Sequence, residues 1–529
     1  MASNEFNGVD QRLRAVERLL ATADVDLVVL DHAELARLPA VLETYWAALA
    51  LVGGDLLATV QHAELALARA SADDLLTAAA ASALIGLASL AGGDLDAAHK
   101  AYRSASEGLE RAGHVADVLG CAITLADIEM TQGRLGDAQR TFEHALGLAA
   151  PLRGVADMYV GLSRVAWERC DLTAAGDYLR RADELGESAG LPQNPYRWRV
   201  AMAHLREAEG DTTTAVGLLQ DAERAYVGDF NPNVQPVAAT RARMLATAGD
   251  LAGALAWARR RGVSATHDLS YLREYEHVTL ARVLLADHAA TGSEASLADA
   301  TALLDRLLTA AAAGCRIGTV MEVLVLQALA RQTADEQDKA LASLQRAVHL
   351  AEPQGYVRVF TREGAPMIQL LKRLAGRHRD RAYVRQLLAP MTAPDNATGS
   401  TASPPSEGAS GPRTGAPRQP ALVDPLSSRE LGRAAAPRHR PRRPRHRPGT
   451  RGVAHHRPHP HPAHLHQARR QQPPSRSPSR PPAEPVLRRG TAPDLLRLAT
   501  RARGADDRQA VPDAGVGRER PAAARSPTS

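Results

Sequence analysis

Hydrophobic and polar positions follow a helical rhythm through most of the chain. Between residues 1 and 391 apolar side chains recur every three or four positions, and the strong helix formers Ala, Leu, Glu and Arg dominate. Convincing strand-like alternation is missing from this stretch. The rhythm is broken by a recurring signature, Gly-Asp-Leu or a close variant followed by Ala. It stands at Asp55 ("GGDLLA"), Asp94 ("GGDLDAA"), Arg134 ("QGRLGDA"), Asp171 ("RCDLTAA"), Asp211 ("EGDTTTA") and Asp250 ("AGDLAGA"). The intervals are 39, 40, 37, 40 and 39 residues, with fainter echoes at Ser296 ("EASLADA") and Asp335 ("TADEQDKA").

Each signature has a physical reading. Gly ends one helix in a left-handed cap, Asp caps the next, and the small Ala beyond the turn lets the two helices approach. A single helical hairpin cannot bury its apolar faces, so regularly spaced hairpins stack into a solenoid. The period exceeds the roughly 34 residues of a tetratricopeptide unit, which predicts longer helices. The expected fold class is all-α: a tetratricopeptide-like superhelix of paired helices over residues 30–391, preceded by a lead-in helix within 1–29.

The rhythm then stops. Residues 392–420 are rich in Pro, Gly, Ser and Thr and predict a flexible linker. Residues 421–431 announce a helix, because Ser427 and Glu430 form an S-x-x-E capping box. No apolar periodicity follows. Residues 432–529 predict a disordered tail rich in Arg, Pro and His.

Charge changes the picture only in that tail. The net charge is +5, yet Gly432 to Arg480 contains no Asp or Glu while residues 1–391 are acidic to balanced. The basic balance therefore belongs to the tail, whose arginines predict nonspecific, salt-sensitive attraction to nucleic acid. The tail has no aromatic stacking residues or periodic face for base-specific readout. Eight of the 19 histidines fall between His439 and His466, but the prolines among them prevent the fixed geometry that a metal site needs. Cys121, Cys170 and Cys315 are far apart and lie in apolar helical patterns, which suits reduced thiols in a cytoplasm. Met1–Gln11 is polar and does not read as a signal peptide. Ala-rich stretches such as "LLTAAAASALIGLASLAGG" predict buried helices rather than membrane spans.

Catalytic chemistry finds no foothold. The sequence lacks G-x-x-x-x-G-K-[ST], H-E-x-x-H, C-x-x-C and G-x-S-x-G, and none of its three lysines follows a glycine loop. The chain is expected not to be an enzyme, with no catalytic residue, metal ligand or cofactor of its own. Binding candidates come from three aromatic segments in a chain with only 3% aromatic residues. "GLPQNPYRWRVAMA" and "YVGDFNPNVQP" read as loop-like, and "YLREYEH" sits at a helix start. Tyr196, Arg197, Trp198, Arg199, Phe230, Tyr271 and Arg273 combine aromatic and cationic groups, types enriched at binding hot spots. The competing expectation is that Tyr196, Trp198 and Tyr271 fill space between helix pairs.

These segments resemble a known family. Together with "GYVRVFTREGAPM" (Gly355–Met367), they look like the helical signalling domain of the large LuxR-type transcriptional regulators of the MalT-like group. "LVDPLSSREL" (Leu422–Leu431) resembles the opening of their DNA-binding helix-turn-helix. The resemblance implies a solenoid that receives a small-molecule inducer or regulatory protein, with DNA as the partner of the C-terminal domain. It implies that Pro425, Leu426, Ser427, Arg429, Glu430 and Leu431 begin the DNA-binding unit. Self-association is a further expectation; a membrane partner is not. Family members bind ATP through an N-terminal domain, and nothing like it precedes Met1. The second departure is that the helix-turn-helix pattern ends after Leu431. A one-base shift of frame accounts for it. Over His455–Arg476 the shifted pairs permit T-T-V-R-T-H-T-R-H-I-Y-T-K-L-D-V-N-N-R-R-A, which resembles the family's last two helices. Gly432–Gly452 likewise permits a helical pattern with a Gly-Pro turn. The expectation is a LuxR-family regulator whose printed chain has lost specific DNA binding; the alternative is a protein-interaction scaffold with a nonspecific basic tail.

Overall fold

The computed structural model describes residues 8–21, 31–148, 153–228, 231–377 and 381–392. The expected linker, the residues Pro425 to Leu431, the basic tail and Phe230 lie outside the described residues. Among those described, the elements are all helices. A first helix, α1 (Val9–Ala21), precedes the repeats. The hairpins are α2 (His32–Val52) with α3 (Leu56–Arg69), α4 (Leu75–Gly92) with α5 (Leu95–Arg111), and α6 (Val115–Thr131) with α7 (Leu135–Leu148). Next come α8 (Val155–Glu168) with α9 (Leu172–Glu184), α10 (Asn194–Ala208) with α11 (Thr212–Ala225), and α12 (Val237–Thr247) with α13 (Leu251–Arg261). The last are α14 (Tyr271–Thr291) with α15 (Glu294–Ala313) and α16 (Ile317–Thr333) with α17 (Gln337–Ala351). Three closing helices follow: α18 (Arg358–Thr361), α19 (Gly364–Arg377) and α20 (Arg381–Thr392).

The signature residues make the hairpin turns. Gly54, Gly93, Gly133, Gly210 and Gly249 take positive φ between 76° and 88°. The next N–H reaches back five residues, as Asp94 does to Ser89 at 3.0 Å and Asp211 to Arg206 at 2.9 Å. Each aspartate then caps the following helix. Asp55, Asp94, Asp171, Asp211 and Asp250 accept the backbone N–H three residues on at 2.9–3.0 Å. A cap of this kind contributes about 1 kcal/mol. Three details differ from the sequence pattern. Cys170 and Cys315 stand at helix ends with φ of 62° and 52°, where other turns carry Gly, and not inside helices. The echo at Ser296 is displaced: Gly292 turns the chain and Ser293 caps α15. The segment Gly190–Ala203 is helical from Asn194, because Pro195 suits the first turn of a helix.

The two helices of a hairpin are built differently. Several even-numbered helices are buried nearly all round; α8 buries Val155 to Met158, Val160 to Ser163 and Val165 to Trp167, whereas α10 buries only Ala201, Ala203 and Leu205. Odd-numbered helices bury one stripe, such as Leu135, Ala138, Phe142 and Ala145 of α7. α2 and α4 are long and apolar enough to cross a membrane by length and composition alone, although half of the α4 window is buried inside the stack. Close packing uses glycine at specific points: a Cβ on Gly161 would lie 2.3 Å from the Phe142 ring.

The stack curls until its inner helices meet across the middle. α4, α6 and α8 touch α14, α16 and α18 respectively. Gly318 of α16 comes so near the end of α6 that a Cβ there would sit 2.7 Å from the Met130 carbonyl oxygen. The Tyr356 hydroxyl donates to that same carbonyl at 3.2 Å, and the Val357 N–H donates to the Glu168 carbonyl at 2.9 Å. One hydrophobic core therefore joins α6–α8 to α16–α20.

Candidate functional site

The curl forms a chamber between its inner helices. One cavity of about 190 Å³ lies between the inner helices, with Asp127, Arg164, Trp167, Glu168, His204, Arg243, Tyr271, Glu322 and Arg362 in its wall. A second of about 190 Å³ shares Asp127, Arg164, His204 and Tyr271 and adds Tyr196, Arg197 and Tyr226. The charged or polar wall residues Asp127, Arg164, His204, Arg243, Glu322 and Arg362, together with Arg282 beside them, are spaced 37, 40, 39, 39, 40 and 40 residues apart in chain order. The repeat period thus places one such group at an equivalent level of each successive inner element, from α6 to α18.

Most of these charges are paired directly. Glu322 accepts from Arg243 Nη1 at 2.7 Å and Arg282 Nε at 2.8 Å, and Arg282 Nη1 donates to Glu363 at 2.7 Å. Arg243 also donates to the Thr279 hydroxyl at 2.7 Å, and its guanidinium lies 3.7 Å from the centre of the Tyr275 ring. Arg358 donates to Glu207 at 2.8 Å, and Arg164 to Asp127 at 2.5 Å. Glu274 accepts Arg316 in a two-oxygen clasp at 2.8 and 3.0 Å. Burial alone would raise the Glu322 carboxyl, but Arg243 and Arg282 outweigh it and hold it down to about 2.

The Trp167 corner is different. His204 packs on the Trp167 ring with centroids 4.8 Å apart, while Arg358 and Arg362 lie 5.5 and 6.0 Å from that ring. Burial pushes His204 down to about 3, against the pull of Glu207, so its imidazole is neutral. Burial pushes Glu168 up to about 7, with Arg362 the first of the charges opposing it. His204 Nδ1, Arg282 Nη2 and Arg358 Nε are buried without a hydrogen-bond partner among the described residues.

The two shifted groups pull stability in opposite directions with pH. Neutral His204 contributes fully above its unfolded value of 6.5 and loses that contribution as pH falls toward 3. Glu168 favours the folded state below 4.5, and that contribution is lost as pH rises through 7. Between pH 5 and 6.5, His204→Gln should therefore gain stability relative to wild type on acidification. Glu168→Gln should lose it, each by up to about 1.4 kcal/mol per pH unit. Urea midpoints across that range check both signs.

The sequence candidates divide. Tyr196, Arg197 and Tyr271 reach the chamber wall. Arg197 also pairs with buried Asp157 at 3.2 Å. Trp198 packs among α8–α10 and donates its indole N–H to the Leu179 carbonyl at 3.1 Å. Arg199 donates to the Pro195 carbonyl, and Arg273 to Glu276 and the carbonyl of Arg261. Arg164, Glu168, His204, Arg243, Glu322 and Arg362 were not singled out from sequence, although the repeat period applied to polar positions inside apolar helices would have found most of them.

Fold and chamber together define a tetratricopeptide-like helical-repeat protein with a polar interior. The chain belongs to the family described as the MalT-like TPR region, whose model matches residues 42–377. Among solved structures it is similar to a Rap protein complexed with Competence and Sporulation Factor, at 12% identity and a TM-score of 0.45, covering 65% of this chain and 92% of that one. A STAND protein with a tetratricopeptide repeat sensor from Pyrococcus horikoshii matches at 13% identity and a TM-score of 0.30, covering 63% and 51%. Yeast Tom70 matches at 17% identity and a TM-score of 0.32, covering 69% of each chain. No curated protein gives a significant match.

Proposed function

We propose that this chain is the signal-receiving solenoid of a LuxR-type transcriptional regulator of the MalT-like group, working in the cytoplasm without catalysis of its own. Its interior chamber receives an inducer or a regulatory protein. The observation that carries this reading is the row of charged or polar groups set at the repeat period around one interior cavity, in a chain of the MalT-like family. A stack needed only as a spacer would gain nothing from burying so many charges, since apolar replacements are generally neutral or stabilising. The family's DNA-binding unit would start at Pro425 and end prematurely after Leu431. The second reading, a protein-interaction scaffold that could also self-associate, draws on the exposed leucines Leu57, Leu65 and Leu67 of α3.

Footprinting on the gene's own promoter region tests the proposal. The printed chain should protect no defined site at physiological salt, and any residual affinity should fall steeply with added salt. The same chain with its frame shifted by one base after Leu431 should protect one. A footprint from the printed chain would refute the loss of specific binding. A shifted frame that encodes no helix-turn-helix would remove the regulator reading and leave the scaffold.

A further inference from the structure

We propose that the chamber at Trp167 binds a free α-amino acid with an apolar side chain, Glu168 taking its ammonium and Arg362 its carboxylate. Among the described residues the Glu168 carboxylate, although it faces the cavity, makes no hydrogen bond and no ion pair. The Arg362 guanidinium faces the same cavity, with the Trp167 ring 6.0 Å away and a long ion pair to Glu363, 3.9 Å from Nε and beyond hydrogen-bond distance. Their neighbours Arg164, Arg243, Arg282, Arg358, Asp127, Glu207, Glu322 and Glu363 are all directly paired. The chamber thus presents one carboxyl without a hydrogen-bond or ion-pair partner among the described residues and one guanidinium held only by a long ion pair, more than a hydrogen bond apart.

That pair selects the ligand class. A simple anion would satisfy Arg362 and face Glu168; a simple cation would do the reverse. An anion alone would hold Glu168 protonated, and a cation alone would leave Arg362 with only its long pair to Glu363. A zwitterion satisfies both. The guanidinium fork suits a carboxylate bidentately, and the Glu168 carboxylate suits an ammonium. The cavity of about 190 Å³ has room for a small molecule. Met321, Val278 and Val359 in the wall give a side chain apolar company.

The protonation of Glu168 fits such a ligand. Burial pushes the carboxyl up, Glu322 adds to this, and Arg362, Arg164 and Arg358 oppose it, leaving about 7. Tyr356 also faces it, and its own phenol is pushed up by burial and by Glu168. An ammonium beside the carboxylate would pull Glu168 down, so binding releases a proton and weakens as pH falls below 7.

The inference deepens the sensing role and rests on it for its biological meaning; the binding itself is measured without DNA. Isothermal titration calorimetry of the full chain with L-leucine, L-methionine and L-phenylalanine is the test. Each probe is compared with the matching amine that lacks the carboxylate and the matching acid that lacks the amine. Saturable binding of at least one amino acid is expected, with neither analogue saturating in the same range. Glu168→Gln and Arg362→Gln should each weaken binding by at least about tenfold, while circular dichroism shows that the helices remain. Arg362→Lys should retain part of the affinity, keeping the charge and losing the fork. Absence of binding by all three amino acids overturns the inference. So does equal binding of an amine or acid analogue, or indifference to both Gln substitutions. Amino-acid binding by a chain whose shifted frame yields no promoter footprint would keep this inference and discard the regulator; a footprint without amino-acid binding would do the opposite.

Discussion

Glu322→Ala should destabilise the protein by about 3–5 kcal/mol, the range for removing one partner of a buried ion pair. The carboxylate holds two guanidiniums at once, Arg243 at 2.7 Å and Arg282 at 2.8 Å. Arg243 has a side chain only 4% exposed and has no other carboxylate within ion-pair distance among the described residues. Truncation leaves both cations buried, one wholly uncompensated. Glu363→Ala should be milder, about 1.5–3 kcal/mol, because Arg282 still keeps Glu322. Denaturant midpoints and slopes of the two variants decide it: a Glu322 loss no larger than the Glu363 loss would mean that Glu322 is not the hub. The sign with pH is also fixed. Held down to about 2, Glu322 contributes fully above its unfolded value of 4.5, and that contribution disappears as pH falls toward 2. Acid titration of Glu322→Ala should therefore show a shallower loss than wild type.

How much of this was legible beforehand depends on which physics set each feature. The hairpins were legible because their turns are local. A residue free to take positive φ, then an aspartate aimed at the next helix, are properties of four or five consecutive residues, and Asp94 or Asp211 makes the bond its position implies. Cys170 was harder to place, because a non-glycine residue at positive φ leaves only the surrounding repeat as its signal. A superhelix was legible, but how far it curls was not. It is the accumulated rotation of many hairpins, so the meeting of Gly318 with the Met130 carbonyl depends on every packing angle between them. The chamber chemistry fell between these cases. Aromatic residues near Pro and Gly drew notice, which brought in Tyr196, Arg197 and Tyr271. Arg164, His204, Arg243 and Arg362 stood singly inside apolar or mixed helices, where each reads as an ordinary polar residue. Their shared register appears once the repeat length is applied to charge as well as to turns.

Phe360→Ala should lose about 3–5 kcal/mol by a different route, the transfer term of a buried ring plus the cavity it leaves. Phe360 is fully buried, in the core that also holds Leu324, Leu344, Met367 and Leu371. The loss should be unevenly distributed. Helix α18 has four residues, too few to persist without tertiary support. Phe360 is its anchor, while Arg358 at its start and Arg362, the residue that caps its end, face the Trp167 ring in the chamber. Immediately beyond it, α19 and α20 contribute Leu370, Leu374 and Leu387 to the shared core. Loosening α18 should therefore raise amide exchange in α18–α20 and along the Glu168 end of α8, where the Val357 N–H is bound. Contacts in a stacked-repeat protein run mainly between neighbours, so α2 to α5 should keep wild-type protection. Uniform deprotection of all the hairpins would show instead that the curl unfolds as one cooperative unit, with α18 merely part of it. A confined loss would identify α18 as the joint between the chamber wall and the last helices of the stack, since the same few residues pack on both.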